Sequence, residues 1–292
     1  MKNKLLLAVL AIFAVAVLLT GCTAPKQAEA PATTEQPAAQ NPEASSATSE
    51  PAGDTSLDDI KKKGEFIVGL DDSFPPMGFR DEKNEIVGFD IDMAKEAAKR
   101  MGVKVTFKPI DWDSKVLNLN NKDIDVIWNG LTITEERMKE IAFSKAYLNN
   151  QQILIVQANS TIATKADLKG KILGLQLASS SEEALKADPA TEKSLKEVKK
   201  YGKYTEALLD LKSGRVDVVL IDEVVGKYYI SKKPGEFKVL TENMGNEEYG
   251  IGMRITDLSF KAELDKVLDE MKADGTADTI SKKWFGEAIV KK

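Results

Sequence analysis

The run Asp123-Ile-Asp-Val-Ile-Trp-Asn-Gly-Leu-Thr-Ile-Thr-Glu-Glu-Arg137, then a short amphipathic piece and Ala142-Phe-Ser-Lys-Ala-Tyr147, decides how the rest of the chain is read. Acidic punctuation followed by Val126, Ile127 and Trp128 predicts a short buried strand. Asn129 and Gly130 are expected to break it, and Gly130, without a Cβ, would let a ligand approach the main chain. Thr134-Glu135-Glu136-Arg137 has the pattern of a helix start, with Thr134 as N-cap and two acids in the first turn, where the helix dipole favours them. A strand end, a glycine, the hydroxyls of Thr132 and Thr134, free helix N–H groups and Arg137 fall within a few residues. That is the chemistry that holds a carboxylate. The same residues also suit an ordinary strand–loop–helix junction with a solvated arginine.

Composition narrows the function classes. The chain has 292 residues, 42% hydrophobic and 30% charged, enough for one large domain or two ordinary ones with a real core. Its formal charge is −5, and loss of Lys2 and Lys4 with a leader would take it near −7. An acidic balance argues against nucleic acid as a partner. There is no His and one Cys, so zinc, haem and Fe–S sites are not expected, and no cofactor or metal is called for. Serine–histidine and cysteine–histidine hydrolysis lack their base.

Working outward to the N-terminus, Lys2 and Lys4 precede an apolar stretch, Leu5 to Leu19, too short to span a bilayer comfortably, which takes roughly 20 residues. This reads as a signal peptide over residues 1–21. It ends Leu19-Thr20-Gly21-Cys22, which resembles the bacterial lipoprotein cleavage box and implies cleavage before Cys22 and lipid on its sulfur. A plain secretory signal is the alternative. Residues 22–56 are rich in Ala, Pro, Thr, Ser, Glu and Gln without apolar periodicity, as in a flexible tether.

Beyond the tether, Leu57 to Lys63 predicts a helix ending at Gly64, and Phe66 to Leu70 a buried strand. Asp71 and Phe74 then sit in a proline-locked loop at the carboxyl end of that strand, where open α/β sheets place ligands. Phe74 could equally be packing. Gly88-Phe89-Asp90 enters a helix to Met101, and Asp90 could cap it or face a polar ligand tip. Val103 to Pro109 is a strand, and Asp113 or Ser114 is expected to cap a helix through Leu117 to Asn120. Trp112 could be structural, or could offer a face to a cationic ligand. Further strands are predicted at Gln152–Val156, Ile172–Leu175, Val198–Tyr201, Val216–Ile221 and Phe237–Leu240. Gln176-Leu-Ala-Ser-Ser180 opens one helix, and Asp222-Glu223 caps another. Helices at Leu258–Met271 and Ile280–Phe285 close the chain.

These separated motifs together resemble the extracytoplasmic solute-binding proteins of ABC transporters that take up polar amino acids. The resemblance is carried by Gly130-Leu131-Thr132-Ile133-Thr134, Arg137, Phe143-Ser144, Tyr147 and Gly88-Phe89-Asp90, and covers nearly all of residues 57 to 288. It implies an α/β, two-lobed periplasmic-binding-protein-like fold of type II, each lobe a mixed sheet flanked by helices, with two crossover hinge strands. Lobe 1 would take residues 57–148 and a return at 244–292, and lobe 2 residues 149–243. Arg137 would grip the α-carboxylate with help from Thr132, while groups at Asn129 and Gly130 meet the α-amino group. Asp71, Phe74 and Trp112 would contact the ligand side chain. Asp222 would take the ammonium from the opposite lobe. Gln176 suits an amide or a sulfur-containing polar ligand. The family places a Gly-Ser/Thr pair where this chain has Ala178-Ser179, so Ser180 is left to offer its hydroxyl and N–H.

The function implied is capture of a free polar or basic amino acid by lobe closure and its delivery to membrane permease subunits. The protein would be lipid-anchored outside the cell membrane, of the Gram-positive pattern. A dehydratase of prephenate-like acids on the same scaffold, and a receptor's sensor module, are the rival readings. The first needs a cleft acid of raised pKa. The second needs a span or signalling domain after the lobes.

Overall fold

A computed structural model describes residues 53–292. The leader, Cys22 and nearly all of the expected tether lie outside the described residues. The strands are β1 (Glu65–Leu70), β2 (Ser73–Phe74), β3 (Gly78–Arg80), β4 (Ile86–Val87), β5 (Lys104–Pro109), β6 (Val126–Thr132), β7 (Ile141–Phe143), β8 (Leu148–Gln157), β9 (Ile172–Gln176), β10 (Glu197–Tyr201), β11 (Val218–Asp222) and β12 (Phe237–Arg254). The helices are α1 (Ser56–Lys63), α2 (Phe89–Met101), α3 (Lys115–Asn120), α4 (Ser180–Ala187), α5 (Pro189–Ser194), α6 (Tyr204–Lys212), α7 (Glu223–Lys232), α8 (Leu258–Ala273) and α9 (Thr276–Phe285).

The helix ends follow from local chemistry. In α1, Asp58 and Asp59 sit in the first turn and three lysines in the last, matching the helix dipole, and Gly64 closes the helix in the left-handed region at φ 75°. The fold begins a little before the expected residue 57. Ser56 Oγ lies 3.0 Å from Ser259 Oγ at the start of α8, and Asp54 accepts from the Ser259 N–H.

The main sheet runs β10-β9-β11-β8-β12-β6-β1-β5, with β7 on β12. In one half, β1 pairs in parallel with β5 and β6; in the other, β9 pairs in parallel with β10 and β11. The long antiparallel strands β8 and β12 join the halves. Alternation along the strands explains how one sheet serves several cores. In β6, Val126 and Trp128 pack into one buried cluster, Ile127 and Leu131 into another. In β8, Ile153 and Ile155 face one side, Leu154 and Val156 the other.

Several local expectations change. The strand expected to break at Asn129-Gly130 runs on to Thr132 with all seven residues buried. Pairing with Tyr249 and Gly250 of β12 holds Leu131 and Thr132 in the ladder, and Gly130 absorbs the irregularity at φ 60°. The helix expected at Thr134 is a single 3₁₀ turn, Arg137–Lys139, although Thr134 Oγ1 still accepts from the Arg137 N–H at 3.2 Å. Neither Asp113 nor Ser114 caps α3 through its side chain. The short strand expected at Phe237–Leu240 is the first part of the 18-residue β12, whose polar middle pairs with β8.

Asp90 does not cap α2, and its carboxylate turns into the core rather than toward a ligand tip. It is fully buried, and its Oδ2 accepts from Gly130 N at 2.8 Å and Tyr147 OH at 3.0 Å, pinning the irregular point of β6 to α2. Its Oδ1 has no hydrogen-bond partner. Burial pushes its carboxyl up to about 7 against those two hydrogen bonds. Between the ordinary carboxyl range and pH 7 the folded chain therefore holds a proton that the unfolded chain has lost, so stability falls as pH rises through that window. Relative to the parent, Asp90→Asn should gain stability from pH 4 to 7 and level off above, read from urea melts. A difference that does not vary with pH contradicts this.

Ala178 occupies the left-handed region, φ 55°, in the loop where the resemblance expects glycine. The backbone keeps the turn and Ala bears a strain of about 1–2 kcal/mol. Ala178→Gly removes that strain but adds about 0.4–1 kcal/mol of unfolded-state freedom. The net expectation is a gain of about 0–1.6 kcal/mol, or up to about 6 °C in Tm for a domain of this size. A lower Tm contradicts it.

Candidate functional site

The seam between the two halves of the sheet gathers the charged and amide side chains. From the β6 side, Arg137 is 6% exposed. Its Nη1 donates to Thr132 O at 2.9 Å, and its Nη2 lies 2.9 Å from Glu183 Oε1 on α4. That second contact is ionic rather than an aligned hydrogen bond. Thr132 Oγ1 donates across the seam to Ser180 Oγ at 3.0 Å, at the first residue of α4. Gln152 Nε2, on β8, donates to the same Ser180 Oγ at 3.1 Å and to Asp222 Oδ1 at 3.0 Å. Arg137 and Asp222 are therefore the two ends of one continuous polar chain, Arg137–Thr132–Ser180–Gln152–Asp222.

Asp222 ends β11 and stands at the N-cap position of α7, yet its side chain does not cap that helix. The carboxylate turns inward. Oδ1 accepts from Asn150 Nδ2 at 2.9 Å and Tyr249 OH at 2.7 Å as well as from Gln152. Burial, then the neighbouring Glu247 carboxylate, raises its carboxyl well above the usual range. Ser181 Oγ sits 2.5 Å from Tyr204 OH and donates to Gln152 Oε1, which fixes the orientation of that amide.

A second set of contacts crosses the seam at the end of β1. Asp71 Oδ1 accepts from Ser73 N and Oγ at 2.9 and 2.6 Å, while Oδ2 accepts from Gln176 Nε2 at 2.8 Å. Burial raises the Asp71 carboxyl against these bonds. Next to it, Lys203 Nζ meets Asp72 Oδ1 at 3.2 Å. The rings of Phe74 and Tyr204 lie 6.0 Å apart across the same seam. Ser179 Oγ turns back to Gln176 O at 2.7 Å, closing the loop that carries Ala178.

Lys115 was not foreseen from the sequence. It is buried on the first turn of α3, donates to Trp112 O at 3.1 Å, and reaches over the seam to Ala178 O at 2.9 Å. Its Nζ lies 5.0 Å from the Trp112 ring centroid, so the cation on this aromatic face is the protein's own. Burial, then Arg137, pulls its ammonium down to about 7. Asn129 is also placed differently from the expectation for its side chain. Its Oδ1 accepts from Asp71 N at 3.0 Å, and its Nδ2 is buried against Gly78. Gly130 packs against Phe74 and Tyr249, with room there for no side chain.

The seam thus brings together Asp71, Phe74, Trp112, Thr132, Arg137, Gln176, Ser179, Ser180 and Asp222, while Asp90, Asn129 and Gly130 lie behind them as supports. Asn150, Gln152, Glu183, Tyr204, Tyr249 and Glu247 complete it. A polar Gln152 opening an otherwise apolar strand was the one available signal for these. Chemically, a guanidinium and a carboxylate linked by hydroxyl and amide groups offer complementary partners to a small solute bearing both charges.

Comparison with known proteins identifies the family. The family described as bacterial extracellular solute-binding proteins, family 3, matches residues 66–287. The L-cystine-binding protein TcyJ of Escherichia coli (strain K12) is 32% identical over 80% of this chain and 88% of its own. The lysine/arginine/ornithine-binding periplasmic protein of the same strain is 34% identical over 75% and 86%. An ABC uptake transporter substrate binding protein from Streptococcus pneumoniae, solved with bound histidine, superposes with a TM-score of 0.80 at 35% identity over 83% of this chain and all of that one. The fold is accordingly the type II periplasmic-binding-protein arrangement, and the chain belongs to the bacterial extracellular solute-binding proteins of family 3.

Proposed function

We propose that this protein captures a polar or basic amino acid between two lobes and delivers it to an ABC importer, as a lipoprotein held at Cys22 on the outer face of the cell membrane. The observation that carries this reading is the chain from Arg137 to Asp222 across the seam. An amino acid zwitterion brings the two charges that this chain ends on. Arg137 would take the carboxylate, with Thr132 and Ser180 as hydroxyl donors. Asp222 would take the ammonium, with Asp71 and Gln176 left to meet a polar side chain.

The lobes would be residues 57–148 with 244–292, and residues 149–243, hinged on β8 and β12. A ligand held from both sides favours closure by its difference in affinity for the closed and open forms. The named relatives bind cystine, lysine, arginine, ornithine or histidine, which sets the class to be screened. A dehydratase reading draws on the raised Asp222 carboxyl. Three donors converge on a single Asp222 oxygen, an arrangement that suits a fixed counter-ion better than a proton donor aimed at a leaving group.

A thermal-shift screen of the twenty amino acids plus cystine should find at least one stabilising ligand. Calorimetry with that ligand should show Arg137→Ala weakening binding by about 2–5 kcal/mol, the cost of truncating a buried charge partner. No stabilising amino acid, or an unchanged affinity in Arg137→Ala, contradicts the proposal.

A further inference from the structure

Asp222 has a carboxylate neighbour. Glu247, on β12, places Oε1 2.5 Å from Asn150 Nδ2 and 2.9 Å from Gln152 Nε2. These are the two amides that also donate to Asp222 Oδ1, at 2.9 and 3.0 Å. The Gln152 amide is oversubscribed. Gln152 Nε2 reaches Ser180 as well, so five acceptor contacts draw on the four N–H bonds of two amide groups. The other ionisable groups around the pair bring no positive charge to it. They are the hydroxyls of Tyr249 and Tyr204, Glu223 paired with Lys227, and Glu248 paired with Lys291. Among the described residues no lysine or arginine forms an ion pair with Asp222 or Glu247. With the Glu247 carboxylate sharing its donors, the buried Asp222 carboxyl is disfavoured as an anion.

We propose that Glu247 is the second carboxylate of the ammonium subsite, and that beside it Asp222 holds a proton which the ammonium of the captured amino acid displaces. This rests on Asp222 being the ammonium receptor. The raised Asp222 carboxyl, with Glu247 as a cause second to burial, accords with it. The ammonium supplies three N–H donors and a full positive charge, so Asp222 can ionise beside Glu247. In the exchange one carboxyl O–H bond breaks, its electron pair stays on the oxygen, and the proton passes to solvent. The ammonium keeps all its hydrogens. A route out exists, because Asn150 and Glu247, with Glu223 and Glu248, line a cavity of about 510 Å³ at the joining strands. Capture at neutral pH therefore releases up to about one proton per amino acid, and affinity weakens as pH falls.

The test is calorimetry at pH 7 in phosphate, HEPES and Tris, using the amino acid that gives the largest thermal shift among the twenty plus cystine. The slope of observed enthalpy against buffer ionisation enthalpy counts protons. The expected result is a clear net release that is smaller in Glu247→Gln, whatever that variant's affinity. Asp90 and Lys115 also titrate near neutrality, so the difference between parent and variant, not the parent slope alone, identifies the pair. Infrared difference spectra give a second reading of the same proton: a protonated-carboxyl band in the unliganded parent that disappears on adding that amino acid. No release in the parent, an equal release in Glu247→Gln, or a liganded-minus-unliganded spectrum with no loss of protonated-carboxyl intensity overturns the inference while leaving the binding reading in place. If none of the amino acids shifts the melting curve, the binding reading falls and this inference falls with it.

Discussion

Burying opposite charges at opposite ends of one seam constrains this molecule more than any other feature. Arg137 and Asp222 are both nearly inaccessible to water, and a buried charge left alone costs several kcal/mol. They do not neutralise each other directly. Thr132, Ser180 and Gln152 stand between them, each contributing a group that can donate, accept or do both. A chain of this kind resists being pulled apart, because parting it strands several groups at once. It is also easily re-partnered by a solute that carries its own charges and hydrogen-bonding groups.

The surrounding fold exists to hold these ends in place. Asp90 fastens the irregular point of β6 through Gly130 N, and Tyr147 closes on the same carboxylate. Lys115 ties α3 to the Ala178 carbonyl, so a left-handed alanine and a buried lysine are both retained at one crossing point. Strain and buried ionisable groups are costs that proteins concentrate where they bind or react. Here they flank the seam, while the three apolar clusters behind it are made of ordinary alternating strand residues.

Much of this was legible in the chain itself. Short apolar runs such as Phe66–Leu70 and Val218–Ile221 announced their strands, since strands buried on both faces need continuous hydrophobicity. Arg137, Ser180, Asp71 and Asp222, singled out from the sequence, lie together at the seam. What stayed hidden depends on register. Asp222 is paired with Gln152, and Glu247 with Asn150, only because β8 is hydrogen-bonded to both β11 and β12. No local pattern encodes that adjacency. The Asn129-Gly130 break failed for a related reason: ladder partners on β12 outweighed a local turn preference. Lys115 left no trace at all, because one lysine at the start of a short helix looks solvated until a second segment covers it.

The central claim is that the two ends of the seam act on the two charges of one small solute. It is tested most directly by calorimetry of the unmodified protein with the strongest amino acid ligand, its carboxamide, and its analogue lacking the α-amino group. The account predicts that each change alone weakens binding by about 2–5 kcal/mol, since each removes the charged group that Arg137 or Asp222 would engage. An analogue missing either charge yet bound as tightly as the parent amino acid would contradict it.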